Sequence, residues 1–425
     1  MADLGVGRGD RVCWQADTTT AGVVAALGIL RLGAVLVPLS AGQSDHERRT
    51  VLDDIEPSML IAPNDVLRDD DVLAVDPASL RGDESFDVVS GFSVDELALV
   101  IYTSGTTGRP KGAMLTHGNL ASGLDALHES WELAPDDQLV SALPLFHVHG
   151  LVAALFGVLS AGGAVELQAR FDAHAYLDAT AREQATLSFC VPTMLHRMAG
   201  ADPSKLRGLR LLVSGSAPLS VSLFNELQRS ASQTILERYG MTETLLTTSN
   251  PLHGERRPGT VGFALPGVTL DAPAHLEEAR ELKVAGPTVF KGYWRRPEAT
   301  AEVLDDGWMA TGDLVTVDAD GYLVVCGRSK ELIISGGFNV YPSEIEDALR
   351  GRFGIADAAV VGQPSPEWGE VVVAFVVLDG TTTLDERALR AVLAGELSSY
   401  KVPRRFEVTT ELPRNPLGKL QRHLL

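Results

Sequence analysis

Short apolar runs of strand length alternate with longer, helix-length segments along the first part of the chain. The runs lie at 11–14, 34–38, 59–62 and 97–102. Strands that alternate with helices form mainly parallel sheets, because each helix carries the chain back across a face of the sheet. The pattern therefore predicts an α/β fold in which mainly parallel sheets are flanked by helices.

The stretch 21–39 is almost wholly apolar, which raises the alternative of a membrane anchor. Arg31 interrupts it, and Asp3, Asp10 and Asp17 precede it, unlike the basic start of a signal peptide. The run is also marginal in length for a bilayer span. We interpret it as a helix followed by a buried strand.

A further apolar run at 209–213 leads into the small-residue segment 214–219. Glycine and small polar residues suit a turn at the carboxyl edge of a strand, where ligands of α/β proteins usually bind. Later, short strands dominate, with predicted turns at Asp320–Gly321 and Gly327–Arg328. The segment 341–346 then reads as the start of a capped helix.

The length of 425 residues exceeds what one hydrophobic core usually organises, so we expect at least two domains. The change to short strands suggests where the division lies. We predict a large N-terminal domain at 1–328 and a smaller C-terminal domain at 329–425.

The formal net charge of −20, from 36 basic and 56 acidic residues, disfavours general affinity for nucleic acid or anionic membranes. An anionic substrate must then be held by local positive charge. Three cysteines, odd in number and far apart, argue against a disulfide framework and against a metal cluster. These features favour a folded protein of the reducing cytoplasm.

The most informative segment is the glycine- and hydroxyl-rich loop 102–112. Glycines let consecutive backbone N–H groups point into one concavity, and the hydroxyls and Lys111 add donors and charge, so the loop suits a polyphosphate. Pro110 and Gly112 replace two required residues of a Walker A loop, which disfavours that motif. The residues predicted to bind the phosphates are Thr103, Ser104, Gly105, Thr106, Thr107, Gly108 and Lys111.

This loop closely resembles the signature of the adenylate-forming superfamily, which includes acyl-CoA synthetases, luciferases and nonribosomal-peptide adenylation domains. Segments that resemble its later motifs follow in the same order, at 143–150, 239–243, 311–313, 327–330 and 413–419. The resemblance implies an enzyme that uses ATP and Mg²⁺ to convert a carboxylic acid to its acyl-AMP, and then passes the acyl group to coenzyme A. It also implies a small β-barrel-like part in the large domain and a mobile C-terminal lid of α+β type.

The resemblance assigns roles to individual residues. Glu243 looks like the Mg²⁺ ligand, Thr242 like its phosphate-contacting neighbour, and Tyr239 like the aromatic that stacks on adenine. Asp313 and Arg328 resemble contacts to the ribose and phosphates. The other nucleotide-binding positions implied are Ser214, Gly215, Ser216, Ala217, Glu237, Gly240 and Met241.

Each of these residues also has a plain structural interpretation. Thr242 and Glu243 taken alone suit a helix cap, Tyr239 suits core packing, and Asp313 suits an exposed turn. The order of the motifs along the chain favours the functional interpretation.

Lys419 resembles the lysine that bridges the substrate carboxylate and the α-phosphate during adenylation, although a terminal lysine is usually just solvated. Lys330 occupies the position of the hinge about which the small domain rotates between the two half-reactions. The resemblance places the pantetheine tunnel along Ser335, Gly336 and Gly337. No carrier-protein domain follows Lys419, so we expect free CoA as the acceptor.

Superfamily membership does not fix the acid, so the residues near Tyr239 and the gate at His147 are informative. Arg238 stands where many long-chain and aromatic-acid synthetases have glycine, and its charge would fill the acyl pocket, which Ser216 and His147 also border. A second carboxylate on the substrate would give the guanidinium a partner. With Arg197 as a second candidate, the chain resembles malonyl-CoA synthetases, and malonate is the predicted acid.

Several alternatives stay open at this point. Arg197 also suits a solvated helix face, and Arg238 also suits an ion pair with Glu237. Methylmalonate carries the same charges as malonate. The rival functions are a short- or medium-chain fatty acid–CoA ligase, an acyl-AMP ligase serving a carrier protein, and a non-catalytic nucleotide-binding scaffold. Superfamily members usually begin some tens of residues before the strand near Asp10, which implies a missing N-terminal piece.

Overall fold

The structure is a computed structural model that describes the chain except residues 64–71, 81–90, 104–109, 275–277, 336, 366–367, 381–382 and 415–418. Within the described residues the strands form four sheets. The two largest are mainly parallel, so the predicted α/β class is confirmed. In this part of the chain no helix is both long and apolar enough to cross a bilayer.

The first sheet contains the apolar runs of the N-terminal part. It begins with β1 (Arg11–Gln15), β2 (Val35–Leu39), β3 (Met59–Ile61), β4 (Ala74–Val75), β5 (Leu97–Thr103) and β6 (Lys111–Thr116). β1 pairs in parallel with β2 and β3, and β5 pairs in parallel with β2. These strands are apolar on both faces because helices cover the sheet.

The second sheet carries the turn predicted to face a ligand. Its strands are β7 (Gln138–Ser141), β8 (Ala164–Leu167), β9 (Leu187–Cys190), β10 (Leu211–Ser214), β11 (Leu236–Met241), β12 (Leu245–Ser249) and β13 (Phe263–Ala264). The first five run parallel, and β12 and β13 add antiparallel strands at one edge. Thr242 and Glu243 lie in the turn between β11 and β12, so the helix-cap interpretation of this pair is wrong.

Ten α-helices are described: α1 (Thr20–Arg31), α2 (Asp45–Ile55), α3 (His117–Trp131), α4 (Gly157–Ser160), α5 (Ala173–Arg182), α6 (Pro192–Ala199), α7 (Val221–Ala231), α8 (Pro297–Ala301), α9 (Pro342–Leu349) and α10 (Glu386–Glu396). A π-helix spans His149–Phe156. Short 3-10 helices lie at Ala2–Leu4, Pro77–Ser79, Pro203–Gly208, Ser329–Glu331, Ser399–Lys401 and Arg422–Leu424. The helix and strand predicted within 21–39 are confirmed as α1 and β2.

The third sheet is antiparallel, and its strands follow those of the second sheet in the sequence. The next strands are β14 (Thr269–Asp271), β15 (Arg280–Ala285), β16 (Gly292–Tyr293), β17 (Leu304–Asp305), β18 (Trp308–Val317) and β19 (Leu323–Arg328). β16 instead joins the first sheet beside β6. The predicted turn at Gly327–Arg328 is wrong, because both residues pair with β18 and place Arg328 opposite Asp313.

The smaller C-terminal domain is built on the fourth sheet. Its strands are β20 (Ile333–Ser335), β21 (Phe338–Val340), β22 (Ile355–Ser365), β23 (Gly369–Leu378) and β24 (Arg405–Thr409), and it has its own hydrophobic core. α9 begins at Pro342 as predicted, but the side chain of Tyr341 does not cap it. The predicted domain boundary at residue 329 falls at the 3-10 helix Ser329–Glu331.

Candidate active site

The carboxyl end of β10 and the first residues of β11 bring two predicted segments side by side. Ser214, the last residue of β10, pairs in parallel register with Glu237 of β11. The chain then turns through Gly215, Ser216 and Ala217, and the φ of 71° at Ser216 lies in the left-handed region. The predicted turn therefore lies beside β11, at the edge where α/β proteins bind ligands.

Asp313 is buried in β18 and has two side-chain partners. The Tyr239 hydroxyl donates to Asp313 Oδ2 at 2.6 Å, and Arg328 Nε lies 2.9 Å from Oδ1. Burial first, and then the Asp313 charge, raise the pKa of Tyr239, which therefore remains a hydroxyl donor. Asp313 is 4% exposed, so its interpretation as an exposed turn residue is wrong. The structure brings these three predicted nucleotide-binding residues into one group.

Glu243 has a buried carboxylate whose position is fixed by a tyrosine. Tyr293 Oη donates to Glu243 Oε1 at 2.8 Å, and Lys111 Nζ lies 5.2 Å from the centre of the same ring. Burial raises the pKa of Glu243, while the Tyr293 hydrogen bond opposes the rise. A carboxylate held in this way suits a hard cation such as Mg²⁺. Tyr293, which the sequence analysis missed, connects the predicted phosphate-loop lysine to the predicted Mg²⁺ ligand.

Arg238 is buried, and within the described residues it has no charged partner. It is 4% exposed, and its Nε and Nη2 have no hydrogen-bond partner among the described residues. Glu237 accepts instead from the backbone N–H of Gly259 at 3.0 Å, so its interpretation as the ion-pair partner of Arg238 is wrong. Burial lowers the pKa of Arg238 to about 10, which leaves the guanidinium charged at neutral pH.

The Arg238 side chain lies directly against the turn after β10. A Cβ added at Gly215 would stand 2.4 Å from Arg238 Nε and 2.5 Å from its Cζ, so only glycine leaves room for the arginine. Two further buried atoms in this region, Ser214 Oγ and His149 Nε2, lack partners in the described structure. A fixed positive charge and unpaired polar atoms therefore lie together, which is the environment that an anion needs.

His149 begins the π-helix and was not assigned a role from the sequence. Its Nδ1 lies 3.2 Å from Ser216 Oγ. Burial, followed by the charges of Arg238 and His147, holds the pKa of His149 well below its usual value, so the ring is neutral. The two-residue spacing from His147 was the sequence signal that could have found it. His147 itself is half-buried, and burial lowers its pKa to about 4.

The two lysines predicted to act in the reaction, Lys330 and Lys419, lie in two separate segments of the C-terminal part of the chain. Lys330 lies in the 3-10 helix that follows β19. Lys419 lies close enough to Arg328 and Asp313 to feel their charges, and desolvation followed by the Arg328 charge lowers its pKa. The structure thus places Lys419 near the Asp313 group.

Other predicted residues are less closely tied to the site. Arg197 is exposed on α6, and no described contact joins it to Arg238. Gly240 and Met241 continue β11 beyond a β-bulge. Ser335 and Gly337 border the turn between β20 and β21. Among the remaining predicted site residues, Thr103 and Lys111 pair across β5 and β6, whereas Ser104, Gly105, Thr106, Thr107, Gly108 and Gly336 lie outside the described residues.

Comparison with known proteins gives two family matches. The family described as AMP-binding enzyme matches residues 1–294, and the AMP-binding enzyme C-terminal domain matches residues 344–419. A feruloyl-CoA synthase of Amycolatopsis sp is 39% identical over 98% of this chain and 88% of its own length. A sulfoacetate–CoA ligase of Cupriavidus necator is 40% identical over 77% of this chain and 66% of its own.

Solved structures agree with these matches. ATP-bound MatB from Rhodopseudomonas palustris has a TM-score of 0.93 and 38% identity, covering 100% of this chain and 89% of that one. A malonyl-CoA ligase with methylmalonyl-CoA and AMP bound has a TM-score of 0.72 and 40% identity, covering 97% of this chain and 92% of that one. The likeness therefore extends over both domains.

Proposed function

Since the chain belongs to the AMP-binding enzyme family and is an AMP-forming acid–CoA ligase, we propose that its acid is malonate, with methylmalonate as a second substrate of the same charge. The acid and ATP give acyl-AMP and pyrophosphate, and the acyl group then passes to the CoA thiol with release of AMP. ATP and CoA are the co-substrates, and Mg²⁺ is the cofactor.

The observation that carries the choice of acid is the unpaired guanidinium of Arg238. A buried charge without its partner destabilises a protein by about 3–5 kcal/mol. A second carboxylate could accept two parallel N–H···O bonds from Nε and Nη2, the two atoms that lack partners within the described chain. The neutral ring of His149 and the Ser214 hydroxyl add uncharged polar groups beside that carboxylate.

The position of Arg238 also limits the length of the acid. Its guanidinium packs on Gly215, within the turn that we assign to the adenylate. The distal group of the acid must therefore lie within a few bonds of the carboxylate that reacts. A long apolar tail would instead place hydrocarbon against the guanidinium and leave the charge unpaired.

The relatives differ in whether the acids for which they are named carry a second anionic group. Feruloyl-CoA synthase is named for an aromatic acid. The sulfoacetate ligase is named for an acid with a second anionic group, and the solved malonyl-CoA ligase holds methylmalonyl-CoA. Because acids differ so widely within the family, the charge of Arg238 has more weight in the proposal than any single relative.

In the proposed adenylation step, Asp313 accepts hydrogen bonds from the ribose hydroxyls, while Arg328 holds this carboxylate and adds positive charge. Glu243 and the neighbouring Thr242 hydroxyl face the phosphates. Glu243 would hold Mg²⁺, which shields the triphosphate charge when bound. Lys419 neutralises the charge that develops as the substrate carboxylate attacks the α-phosphorus.

The second half-reaction uses a different set of residues. We assign Lys330 as the hinge between the domains at 1–328 and 329–425, and Ser335, Gly336 and Gly337 as the lining of the pantetheine path. His147 is proposed to gate the acyl pocket. A cytoplasmic location fits the three free cysteines.

The test is pyrophosphate release with ATP and Mg²⁺, across malonate, methylmalonate, acetate and octanoate, with and without CoA. Thioesters are identified by mass. We expect CoA-dependent product with malonate and methylmalonate, and little with the two monocarboxylates. Preference for octanoate would overturn the choice of acid and favour a fatty acid ligase. Pyrophosphate release without transfer to CoA would indicate an acyl-AMP ligase that serves a carrier protein, and no reaction at all would indicate a scaffold.

A further inference from the structure

The segment that carries Lys419 is closed at its base. Arg414 and Leu420 form an antiparallel bridge, and the Gln421 N–H donates to the Pro413 carbonyl at 2.9 Å. Lys419 directly precedes this bridge on the outgoing side. The position of Lys419 therefore depends on the contacts that hold the bridge between Arg414 and Leu420 in place.

Arg422 lies two residues after Leu420, at the start of the 3-10 helix Arg422–Leu424, and forms ion pairs there. Its Nη1 lies 2.6 Å from Glu331 Oε2, and its Nη2 lies 2.8 and 2.9 Å from the two oxygens of Glu346. The side chains of Arg422 and Glu346 are 19% and 4% exposed, so solvent screens this pair weakly. A guanidinium bound to two carboxylates through separate nitrogens is restrained in direction as well as distance.

The two carboxylates belong to different segments, and that of Glu346 has a further partner. Glu346 lies on α9, and its Oε1 also accepts from the Val360 N–H at 2.8 Å. Glu331 directly follows Lys330, the proposed hinge. The Arg422 side chain therefore connects the Lys419 loop both to α9 and to the segment just after the hinge.

From this geometry we propose that Arg422 is a positioning residue for adenylation. Its ion pairs hold the segment of Lys419 against the segment that follows Lys330. When the small domain rotates about Lys330, Lys419 therefore moves with that domain as one rigid unit. The inference rests on the proposed function, because it assigns Lys419 to the first half-reaction. Arg422 itself touches no reacting group. Its removal should slow acyl-AMP formation and leave thioester formation from acyl-AMP unchanged.

The first test separates the two half-reactions in Arg422→Ala, Arg422→Lys and a control. The control is Arg352→Ala, because Arg352 forms an exposed ion pair with Glu396 at 2.6 Å in the same domain. We expect Arg422→Ala to slow pyrophosphate release about 100-fold, since misplacing a reacting group by about 1 Å has effects of that order. Conversion of synthetic acyl-AMP and CoA to thioester should change less than about twofold. Arg422→Lys should lie between, because a lysine offers one point charge where two contacts are made.

The second test measures position without turnover, by hydrogen exchange of the C-terminal peptide. Loss of Arg422 should speed exchange of the Gln421 amide by about 10-fold or more, since that amide is bonded only while the loop base is closed. Exchange within α9 should stay unchanged in a folded variant. Equal loss in both half-reactions, or unchanged exchange at Gln421, would overturn the proposal. If the wild-type protein activates no acid, the proposed function fails, and exchange at Gln421 still decides whether Arg422 holds the loop.

Discussion

The nucleotide side and the acyl side of the site hold their buried charges in opposite ways. Asp313 has both the Tyr239 hydroxyl and the Arg328 guanidinium as partners, at 2.6 and 2.9 Å. Arg238, buried to a similar degree, has no partner for Nε or Nη2 within the described chain. Adenylate-forming CoA ligases share ATP as a co-substrate, whereas the acids for which relatives are named differ. In the proposed function, the groups that serve ATP are thus paired in advance, and the group proposed to select the acid depends on the acid for its counter-charge.

This difference has an energetic consequence. Pairs formed in advance fix the geometry before the nucleotide binds and need no reorganisation during the reaction. An unpaired buried charge destabilises the protein until the right substrate arrives, and it rejects acids that would leave it unpaired. Sites built to hydrogen-bond a substrate group discriminate by about 10⁴–10⁵ against analogues that lack the group. In the proposed function, the buried charge that selects the acid therefore lowers the free energy of unfolding of the substrate-free protein.

The largest expected effect is that of Arg238→Met, which removes the unpaired charge but keeps much of the volume. We expect kcat/KM for malonate to fall by about 1000-fold or more. The melting temperature should rise, because a buried charge gives way to an apolar side chain. Kinetics with malonate and propionate, together with thermal unfolding, measure both effects, and Arg229→Met, at an exposed arginine of α7, is the control. A lower melting temperature, or equal losses with both acids, would show that Arg238 is a structural residue.

Asp313→Asn should behave in the opposite way on the nucleotide side. The amide cannot balance the charge of Arg328, and because its NH₂ group only donates, its single oxygen can accept from either the arginine or Tyr239 but not from both. We expect KM for ATP to rise about 100-fold and the melting temperature to fall, since hydrogen bonds to charged groups contribute about 1.5–3 kcal/mol each. Asp320→Asn, at an exposed turn residue paired with Arg257, is the matched control. An unchanged KM for ATP in the Asp313 variant would remove this residue from the nucleotide site.

Sequence reasoning succeeded where local pattern decides the structure. The strand runs at 11–14 and 97–102 are apolar except for Arg11, because both faces of the sheet are covered, and a pattern of this kind is visible in one segment. Sequence reasoning failed where the structure depends on contacts between residues that are far apart in the sequence. Tyr293 contacts Glu243 across 50 residues of sequence, and nothing local in either segment indicates that contact. The predicted turn at Gly327–Arg328 failed for the same reason, since pairing with Asp313 across two strands outweighs the turn preference of glycine.

Whether Arg238 is truly without a partner can be tested at its neighbour, Glu237. The two residues are adjacent in β11, so their side chains point to opposite faces of the strand. Burial first, with the Asp347 charge of α9 adding to it, raises the pKa of Glu237 to about 8. The backbone N–H groups of Gly259 and Leu219 oppose this rise only in part. The folded protein therefore holds Glu237 protonated at neutral pH, in which form it carries no charge for Arg238.

The last prediction concerns stability alone and is the pH dependence of the melting temperature in Glu237→Gln. A glutamate in the unfolded chain titrates near about 4.3, so between that pH and about 8 the folded wild type binds one more proton than the unfolded chain. The stabilisation from Glu237 is thus complete below the unfolded pKa and is lost as pH rises, by about 1.4 kcal/mol per pH unit. Glutamine does not titrate, so the melting temperature of the variant relative to wild type should climb from pH 5 to 8 and then level off. If the melting temperatures of the variant and the wild type changed in parallel with pH, Glu237 would be ionised in the folded protein. Arg238 would then have a counter-charge close by.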